Sequence, residues 1–347
     1  MSVFEHQDFD AHERIVFVDD EKSGLRAIIA IHNTTRGPSL GGCRLKRYDC
    51  EDAALADALR LSRCMTYKAA VADLDLGGGK SVILDSGKPI DRRLLFAAMA
   101  RAVDRLGGAY IVSNDLGTTV HDVMVMRQYT QHARGLPAVD GRQHPATAYG
   151  VYLGLKATAK FINGTAALDG VHIAIQGVGT VGEQVACYAL ADGARLTIAD
   201  ISAKQLERWA DDDRVSITTP AEILRVPCDI LAPCAVGAVL NDDTIPAMRA
   251  RAVCGAANNQ LLARCHGDLL YRRGIAYAPD YVVNAGGLIE VAKEGAWMSS
   301  DEMLRACETI YRSLAWIFEQ SEANGLPPHI IADQLAEQRL GRARSRR

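Results

Sequence analysis

Short apolar runs alternate with longer amphipathic stretches along most of the chain, a pattern that predicts an α/β protein. In the first half, residues 14–18, 25–31 and 109–112 are predicted strands. The second of these is apolar at nearly every position, which indicates a central strand. Residues 51–70 and 91–106 are predicted helices, because acidic residues open the former and two glycines follow the latter.

The second half continues with strands followed by helices. An apolar strand at 171–175 leads into a predicted helix at 181–191, and another strand follows at 195–199. Further short strands are predicted at 228–231, 252–255 and 275–278. Apolar residues repeat at helical spacing over 303–318, which predicts an amphipathic helix, and a shorter helix is predicted over 329–340.

The composition is that of an ordinary globular protein. The chain has 347 residues, of which 48% are hydrophobic and 23% charged, and its length favours two domains. A net charge of -3 gives no reason to expect nucleic acid or a membrane as a partner, and no apolar run approaches the ~20 residues of a membrane span. The polar N-terminal stretch is not a signal peptide. Cysteines without C-x-x-C spacing and histidines without ligand spacing predict reduced thiols, a cytoplasmic protein and no metal site.

The stretch MTYKAAVADLDLGGGKSVIL at 65–84 carries two lysines, Lys68 near a predicted helix end and Lys80 after three glycines. The glycines predict a turn that passes close to a ligand, and a lysine beside such a turn is partly desolvated, which lowers its pKa. The alternative is a flexible loop with two solvated lysines. A sharp turn is also predicted at 37–42. Asp115 follows a strand end, where it is either a ligand group or the N-cap or turn former of the next helix.

A turn-rich joint at 135–145 is a candidate hinge between the domains. Beyond it, Gly177, Gly179 and Gly182 form a G-x-G-x-x-G motif between a predicted strand and helix, and Asp200 ends the next strand. This order predicts a dinucleotide site, with the pyrophosphate at the glycines and the adenine ribose at Asp200. An acid there repels a 2′-phosphate, which favours NAD over NADP. The alternative is a glycine-rich turn with a solvated aspartate.

These motifs, with GPSLGGCRL at 37–45, resemble the superfamily of glutamate, leucine, phenylalanine and valine dehydrogenases. They are most similar to its leucine dehydrogenase branch, which includes phenylalanine and tryptophan dehydrogenases, and the resemblance covers nearly the whole chain. It implies that Lys68 binds the substrate α-carboxylate, that Lys80 is the catalytic base and that Asp115 is the partnering acid that shuttles protons. Asn114 departs from the acidic residue usual in leucine dehydrogenases.

The resemblance also implies which residues surround the substrate and the cofactor. The substrate-binding residues would be Leu40, Gly41, Gly42, Ser113, Asn259, Leu288 and Val291. The cofactor-binding residues would be Thr147, Gly177, Gly179, Thr180, Val181, Gly182, Asp200, Ile201, Ala235, Ala256, Asn258 and Asn284. Leu40 stands where glutamate dehydrogenases usually have a lysine, so an apolar substrate is favoured over glutamate. Without the resemblance, Leu288 and Val291 are core residues and Asn258 and Asn259 are turn residues.

The expected architecture is two α/β domains across a cleft. A substrate, catalytic and oligomerisation domain at 1–140, to which a C-terminal helix at about 325–347 returns, precedes a Rossmann-type NAD-binding domain at 141–324. The expected function is reversible, NAD-dependent oxidative deamination of leucine or another branched-chain L-amino acid to the 2-oxo acid and ammonia. The alternatives are an aromatic substrate, phenylalanine or tryptophan, and a catalytically inactive NAD-binding regulatory protein. A homo-oligomer, dimer to octamer, and a solvated basic tail are expected.

Overall fold

The computed structural model describes residues 2–89, 91–136, 146–294 and 299–341. The chain forms two compact units, the first made of Met1–Gln143, Val291–Ala296 and Glu337–Arg347, and the second of His144–Glu290 and Trp297–Ala336. Most of the expected hinge at 135–145 and the basic tail after Gly341 lie outside the described residues.

The first unit is built on a mixed five-stranded sheet. Its strands are β1 (Arg14–Asp20), β2 (Leu25–Asn33), β3 (Ser39–Lys46), β4 (Gly77–Leu84) and β5 (Tyr110–Asn114). They lie in the order β1-β2-β4-β3-β5, with β2 antiparallel to β1 and β4, and β3 parallel to β4 and β5. The apolar strand β2 is interior, as its sequence predicts, and β1 forms one edge.

Helices cover both faces of this sheet. They are α1 (Glu51–Val71), α2 (Arg92–Asp104) and α3 (Val120–Arg127). Ile28 and Val82 belong to a core with residues of α1, whereas Ile29 belongs to a second core with Phe96 of α2. Because successive strand residues point to opposite faces, a strand covered on both sides is apolar throughout.

Two glycine-rich stretches that the sequence predicts as turns are strands. Residues 39–42 begin β3 and residues 77–79 begin β4, so the turn predictions are wrong for these residues. The observed turn lies at 35–38 and overlaps the turn predicted at 37–42 only at residues 37 and 38. A side chain at Gly78 would collide with the backbone nitrogen of Thr66 on α1. The glycines therefore allow α1 to pack closely against the strand. In the sequence, glycines needed for close packing cannot be told apart from glycines needed for a turn.

Asp115 does not cap α3. Thr119 is the N-cap, and its side chain and that of Asp122 bond each other's backbone N–H groups in a capping box. The N-cap alternative for Asp115 is therefore wrong, and its carboxylate serves elsewhere.

The second unit contains a six-stranded parallel sheet. Its strands are β6 (His172–Gln176), β7 (Arg195–Ala199), β8 (Val215–Ile217), β9 (Cys228–Pro233), β10 (Ala250–Val253) and β11 (Ala276–Tyr277). Their order is β11-β10-β9-β6-β7-β8. Counted within the unit, this is the 3-2-1-4-5-6 order of the Rossmann dinucleotide-binding fold. The predicted α/β class with a Rossmann-type domain is confirmed.

The later helices are α4 (Ala146–Asn163), α5 (Thr180–Ala191), α6 (Ala203–Glu207), α7 (Cys265–Arg272), α8 (Asp280–Val283), α9 (Gly286–Ala292), α10 (Ser300–Asn324) and α11 (Pro328–Arg339). Helix α10 is longer than its apolar repeat predicts, because a capping box at Ser299 and a left-handed Gly325 set its ends. No helix in the described part of the chain is long and apolar enough to span a membrane.

The end of α11 packs on the end of α1 within the first unit. The Tyr67 hydroxyl donates to Glu337 at 2.8 Å, and Arg339 Nη1 donates to the carbonyls of Ala70 at 3.0 Å and Val71 at 2.6 Å. A cation at these last carbonyls complements the helix dipole, so this contact stabilises the C-terminal turn of α1.

Candidate active site

Lys80 is a buried lysine in the middle of the first sheet. It lies on β4 between β2 and β3, pairs with Ala30 in the sheet register, and is 4% exposed. Burial removes most of the hydration of its ammonium group and lowers the pKa of Lys80, which brings the side chain closer to a neutral base. The alternative of two solvated lysines on a flexible loop is therefore wrong for Lys80.

Asp115 is the partner of Lys80. Lys80 Nζ lies 3.0 Å from Asp115 Oδ2, although Asp115 follows β5 and the intervening strand is β3. Gly42 of β3 makes this possible. A Cβ at Gly42 would lie 2.7 Å from Asp115 Cβ and 3.3 Å from Lys80 Nζ. The absent side chain lets the two groups meet over β3, so Gly42 is a requirement of the ion pair.

The charge on Asp115 is strongly favoured. Burial opposes ionisation of its carboxyl group, but the positive charges and hydrogen bonds of Lys80 and Arg44 outweigh it, and the pKa of Asp115 is lowered. Arg44 Nε donates to the same Oδ2 atom at 2.8 Å. One carboxylate oxygen thus accepts from two cations.

Sequence reasoning missed the second half of this network. Arg44 Nη1 donates to Asp57 Oδ2 at 2.9 Å, and the Tyr48 hydroxyl donates to the same oxygen at 2.8 Å. Arg60, on the exposed side of α1, reaches the other Asp57 oxygen at 3.2 Å. The only signal in the sequence was an arginine two residues after Gly42. Arg44 meets Asp115 through the sheet register and Asp57 through the packing of α1, and neither contact is between chain neighbours.

The expected substrate residues of the first unit lie on elements next to this pair, namely β3, β5 and α1. Leu40 lies two residues before Gly42 on β3, on the same face of the strand, and is fully buried. Gly41 lies against the Gly79 carbonyl. Ser113 pairs with Gly42 in the register, so it borders the site. Lys68 is half-buried in the last turn of α1, the helix that packs on β4.

Ser113 and its neighbour Asn114 differ in exposure. The Ser113 side chain is buried and its hydroxyl lies 3.4 Å from Asn114 Oδ1, while Asn114 is exposed. Gly135, with a φ of +103°, packs against both side chains, and its N–H donates to Glu294. Asn114 is thus an exposed neighbour of Asp115 in the chain, and it does not take the place of Asp115 in the ion pair with Lys80.

The glycine-rich loop of the second unit has the geometry of a phosphate cradle. Gly177 adopts a φ of +90°, and a Cβ at Gly182 would collide with the Gly177 carbonyl. Helix α5 begins at Thr180, followed by Val181, and its N-cap residue Gly179 has no side chain to bond the first N–H groups. A Cβ at Gly179 would meet no atom of the described residues within 4 Å. These features fit the pyrophosphate of a dinucleotide.

Asp200 lies at the end of β7 beside this loop. Its Oδ2 accepts from the Val178 N–H at 2.9 Å and its Oδ1 from the Ser202 N–H at 2.8 Å, so the carboxylate is fixed. The next residue, Ile201, is 95% exposed. Ala235 follows β9 and packs against Gly177. The strand ends thus bring these predicted residues together at one edge of the sheet.

A second group of predicted residues lies around Asn284. Its buried side-chain amide donates to the Ala256 carbonyl at 3.0 Å and to Asn258 Oδ1 at 2.8 Å. The Asn259 carbonyl accepts from Ala238 at 2.7 Å, and Asn259 has a φ of +52°. Asn258 and Asn259 are therefore exposed turn residues whose conformation is held by neighbours.

The remaining predicted residues lie on two helices. Thr147 is in the first turn of α4, and its hydroxyl would be 2.7 Å from a Cβ at Gly287. Leu288 is buried and Val291 half-buried, one turn apart on α9. Among the residues described here, no group of three His, Cys, Asp or Glu side chains is arranged to hold a metal ion.

Known proteins are similar to this chain in sequence and in fold. Residues 12–132 match the Glu/Leu/Phe/Val dehydrogenase dimerisation domain, and residues 199–315 match the Glutamate/Leucine/Phenylalanine/Valine dehydrogenase domain. The leucine dehydrogenase of Bacillus subtilis (strain 168) is 45% identical, with 100% of this chain and 96% of that protein aligned. The phenylalanine dehydrogenase of Thermoactinomyces intermedius is 42% identical, over 97% of this chain and 94% of the relative.

A solved structure agrees over the same length. The L-tryptophan dehydrogenase from Nostoc punctiforme superposes with a TM-score of 0.86 at 38% identity, covering 95% of this chain and 96% of the other. Relatives of this identity, aligned from end to end, share a family as well as a fold. The chain therefore belongs to the Glu/Leu/Phe/Val dehydrogenase family.

Proposed function

We propose that this protein catalyses the reversible, NAD-dependent oxidative deamination of leucine or another branched-chain L-amino acid to the 2-oxo acid and ammonia. The observation that carries the proposal is the buried Lys80 ammonium 3.0 Å from Asp115, in a chain whose relatives are amino acid dehydrogenases. A buried lysine with a lowered pKa is suited to remove a proton at neutral or mildly alkaline pH.

The side chains of the first unit have complementary tasks in this reaction. Lys68 binds the substrate α-carboxylate as a point charge and orients Cα. Lys80 removes a proton from the substrate ammonium group and then activates the water that hydrolyses the imine, while Asp115 holds Lys80 in place. When bound, the nicotinamide accepts the hydride that leaves Cα. The sum is amino acid, NAD and water converted to 2-oxo acid, ammonium ion, NADH and one proton.

An apolar substrate fits the residues beside the pair. Leu40 offers no cation to a distal carboxylate, which disfavours glutamate. Relatives named leucine dehydrogenases, 45% and 41% identical, support a branched-chain substrate. An aromatic substrate is the second candidate, because phenylalanine and tryptophan dehydrogenases share the same fold and 42% and 38% identity. A methylene group in such a pocket is worth only ~1–3 kcal/mol, so neighbouring substrates are accepted at lower rates.

NAD is the proposed cofactor. Members of this family generally use a nicotinamide cofactor, and the half-buried Asp200 carboxylate beside the cradle favours the ribose hydroxyls of NAD over the 2′-phosphate of NADP. In this proposal Thr147, Ala235, Ala256, Asn258 and Asn284 line the remainder of the dinucleotide site, Thr180 and Val181 direct N–H groups at the pyrophosphate, and Ile201 packs on the adenine.

We also propose that the enzyme is a homo-oligomer in the cytoplasm. The edge strand β1 leaves one row of backbone groups unpaired, Phe17 on it is 51% exposed, and the matched domain at 12–132 is described as a dimerisation domain. Cys43, Cys228, Cys254 and Cys307 are buried free thiols, which suits a reducing compartment. Sedimentation at the 37.5 kDa of one chain would contradict the oligomer.

The direct test is NADH formation by the purified protein with each of the twenty L-amino acids at alkaline pH. We expect the highest kcat/KM with leucine, valine or isoleucine. A maximum with phenylalanine or tryptophan would show that the substrate is an aromatic amino acid and would leave the proposed reaction unchanged. No turnover with any of them, together with tight NAD binding, would replace this proposal by that of an inactive regulatory relative.

A further inference from the structure

Arg44 and Lys80 share one oxygen of Asp115, and this shared contact points to a role for Arg44. Arg44 Nε lies 2.8 Å and Lys80 Nζ 3.0 Å from Asp115 Oδ2. Strand β3, which carries Arg44, runs between β4 with Lys80 and β5, which leads to Asp115. The three charged groups are therefore held by three adjacent strands.

Arg44 is also held by a second carboxylate, that of Asp57 on α1. Its Nη1 donates to Asp57 Oδ2 at 2.9 Å, and the Asp57 side chain is only 8% exposed. Tyr48 donates to the same Asp57 oxygen, so the anchoring carboxylate has further support. A planar guanidinium that binds one carboxylate through Nε and another through Nη1 has little freedom to rotate.

The proposed reaction changes the charge on Lys80, and a neutral Lys80 no longer stabilises the negative charge of Asp115. A half-buried carboxylate whose only cationic partner becomes neutral would gain by taking up a proton. Arg44 does not lose its proton in proteins, so Asp115 keeps a cationic partner whether Lys80 is charged or neutral. We propose that Arg44 is a positioning residue that holds Asp115 as a permanent carboxylate and leaves Lys80 as the group that gains and loses the proton.

This inference rests on the proposed amino acid dehydrogenase function and refines it. The family resemblance implies that Asp115 shuttles protons, whereas the Arg44 contact makes its protonation unfavourable. In this account Asp115 orients Lys80, and Lys80 carries the proton between substrate and water.

The sign of the effect on Lys80 follows from the groups around it. Burial lowers the pKa of Lys80, the charge of Arg44 lowers it further, and Asp115 and Asp57 raise it. Cys43 on β3 stays neutral, because burial raises the pKa of its thiol to about 12. Helix α1 also carries the cations Arg60, Arg63 and Lys68. Removing the charge of Arg44 therefore raises the pKa of Lys80 and moves its deprotonation to higher pH.

The test measures the proton of Lys80 without requiring turnover. Lys80 in the full-length protein is acetylated with acetic anhydride across pH 7 to 11, and the modified peptide is quantified by mass spectrometry. Arg44→Gln should raise the midpoint by about one pH unit, and the acidic limb of kcat/KM for deamination should move by the same amount. Arg44→Lys keeps the positive charge but loses the two guanidinium donors that bind Asp115 and Asp57. It should leave the pH midpoint of Lys80 acetylation unchanged and lower kcat by about tenfold.

The control is Arg26→Gln, which removes an exposed arginine paired with Glu51 in the same unit and should change neither quantity. A circular-dichroism spectrum and a melting temperature close to those of the wild type show that each variant is folded. An unchanged midpoint in folded Arg44→Gln would overturn the inference. If that variant does not fold, full kcat in Arg44→Lys would overturn it. A wild-type protein inactive on all amino acids would instead refute the proposed function, while the labelling midpoints still decide the role of Arg44.

Discussion

At the scale of single residues, the site depends on a balance between burial and charge. Burial alone would favour neutral Lys80 and neutral Asp115. Their mutual attraction favours the charged forms of both, and Arg44 shifts the balance toward a neutral lysine beside an ionised aspartate. A general base needs this combination, because a lysine paired only with a carboxylate would hold its proton too tightly.

Sequence reasoning found Lys80 and Asp115 through the family resemblance and missed Arg44, Asp57 and Tyr48. The reason is physical. Arg44 meets Asp115 only because residues of β3 pair with residues of β5, and it meets Asp57 only because α1 packs on the same face. Such contacts are set by register and packing, which no local pattern encodes.

At Asp200, we expect cofactor choice to depend on one carboxylate. Asp200→Ser removes the negative charge at the end of β7, so the preference for NAD over NADP in kcat/KM should fall by about tenfold or more. The lost hydrogen bond to the Val178 N–H should also weaken NAD binding. Asp211→Ser, an aspartate of a loop in the same unit, is the control. A cofactor ratio unchanged in Asp200→Ser would exclude this residue from the ribose site.

At the scale of elements, the glycine-rich strands are where sequence reasoning failed. Glycine has a low strand propensity and is typical of turns, so turns are predicted at residues 37–42 and 77–79, although residues 39–42 and 77–79 are in strands. In the folded chain both segments are paired on each side in the interior of the sheet. The apolar strands and capped helices were predicted well, because their signals are local.

The packing of α1 on β4 gives a prediction at this scale. Gly78→Ala places a methyl group against the backbone of Thr66, which cannot move without shifting α1. Overpacking of this kind costs about 1–3 kcal/mol, so the melting temperature should fall by roughly 3–10 °C. Differential scanning calorimetry measures the shift.

Gly179→Ala is the matched control, because its added methyl group meets no atom of the described residues within 4 Å. It should leave the melting temperature of the protein without cofactor within about 1 °C of the wild type. Equal melting temperatures for Gly78→Ala and Gly179→Ala would show that α1 tolerates a side chain at position 78.

At the scale of the whole molecule, the proposed catalytic pair and the proposed nucleotide site belong to different units. Lys80 and Asp115 are in the first unit, and the glycine-rich loop with Asp200 is in the second. The Rossmann-type fold of the second unit could be predicted from the motif and its context. The return of a C-terminal helix to the first unit was expected only from the family resemblance, because the Arg339 contact joins residues more than 260 positions apart and no local pattern encodes it.

The measurement that tests the account most directly compares turnover with NAD affinity in Lys80→Ala. If Lys80 is the base, kcat with leucine should fall by about a hundred- to ten-thousand-fold in Lys80→Ala. The dissociation constant for NAD should stay within about twofold of the wild-type value. Lys88→Ala, at an exposed lysine of the same unit, should retain both values. Substantial turnover in Lys80→Ala, or a loss of NAD affinity equal to the loss of kcat, would contradict the assignment of Lys80 as the base.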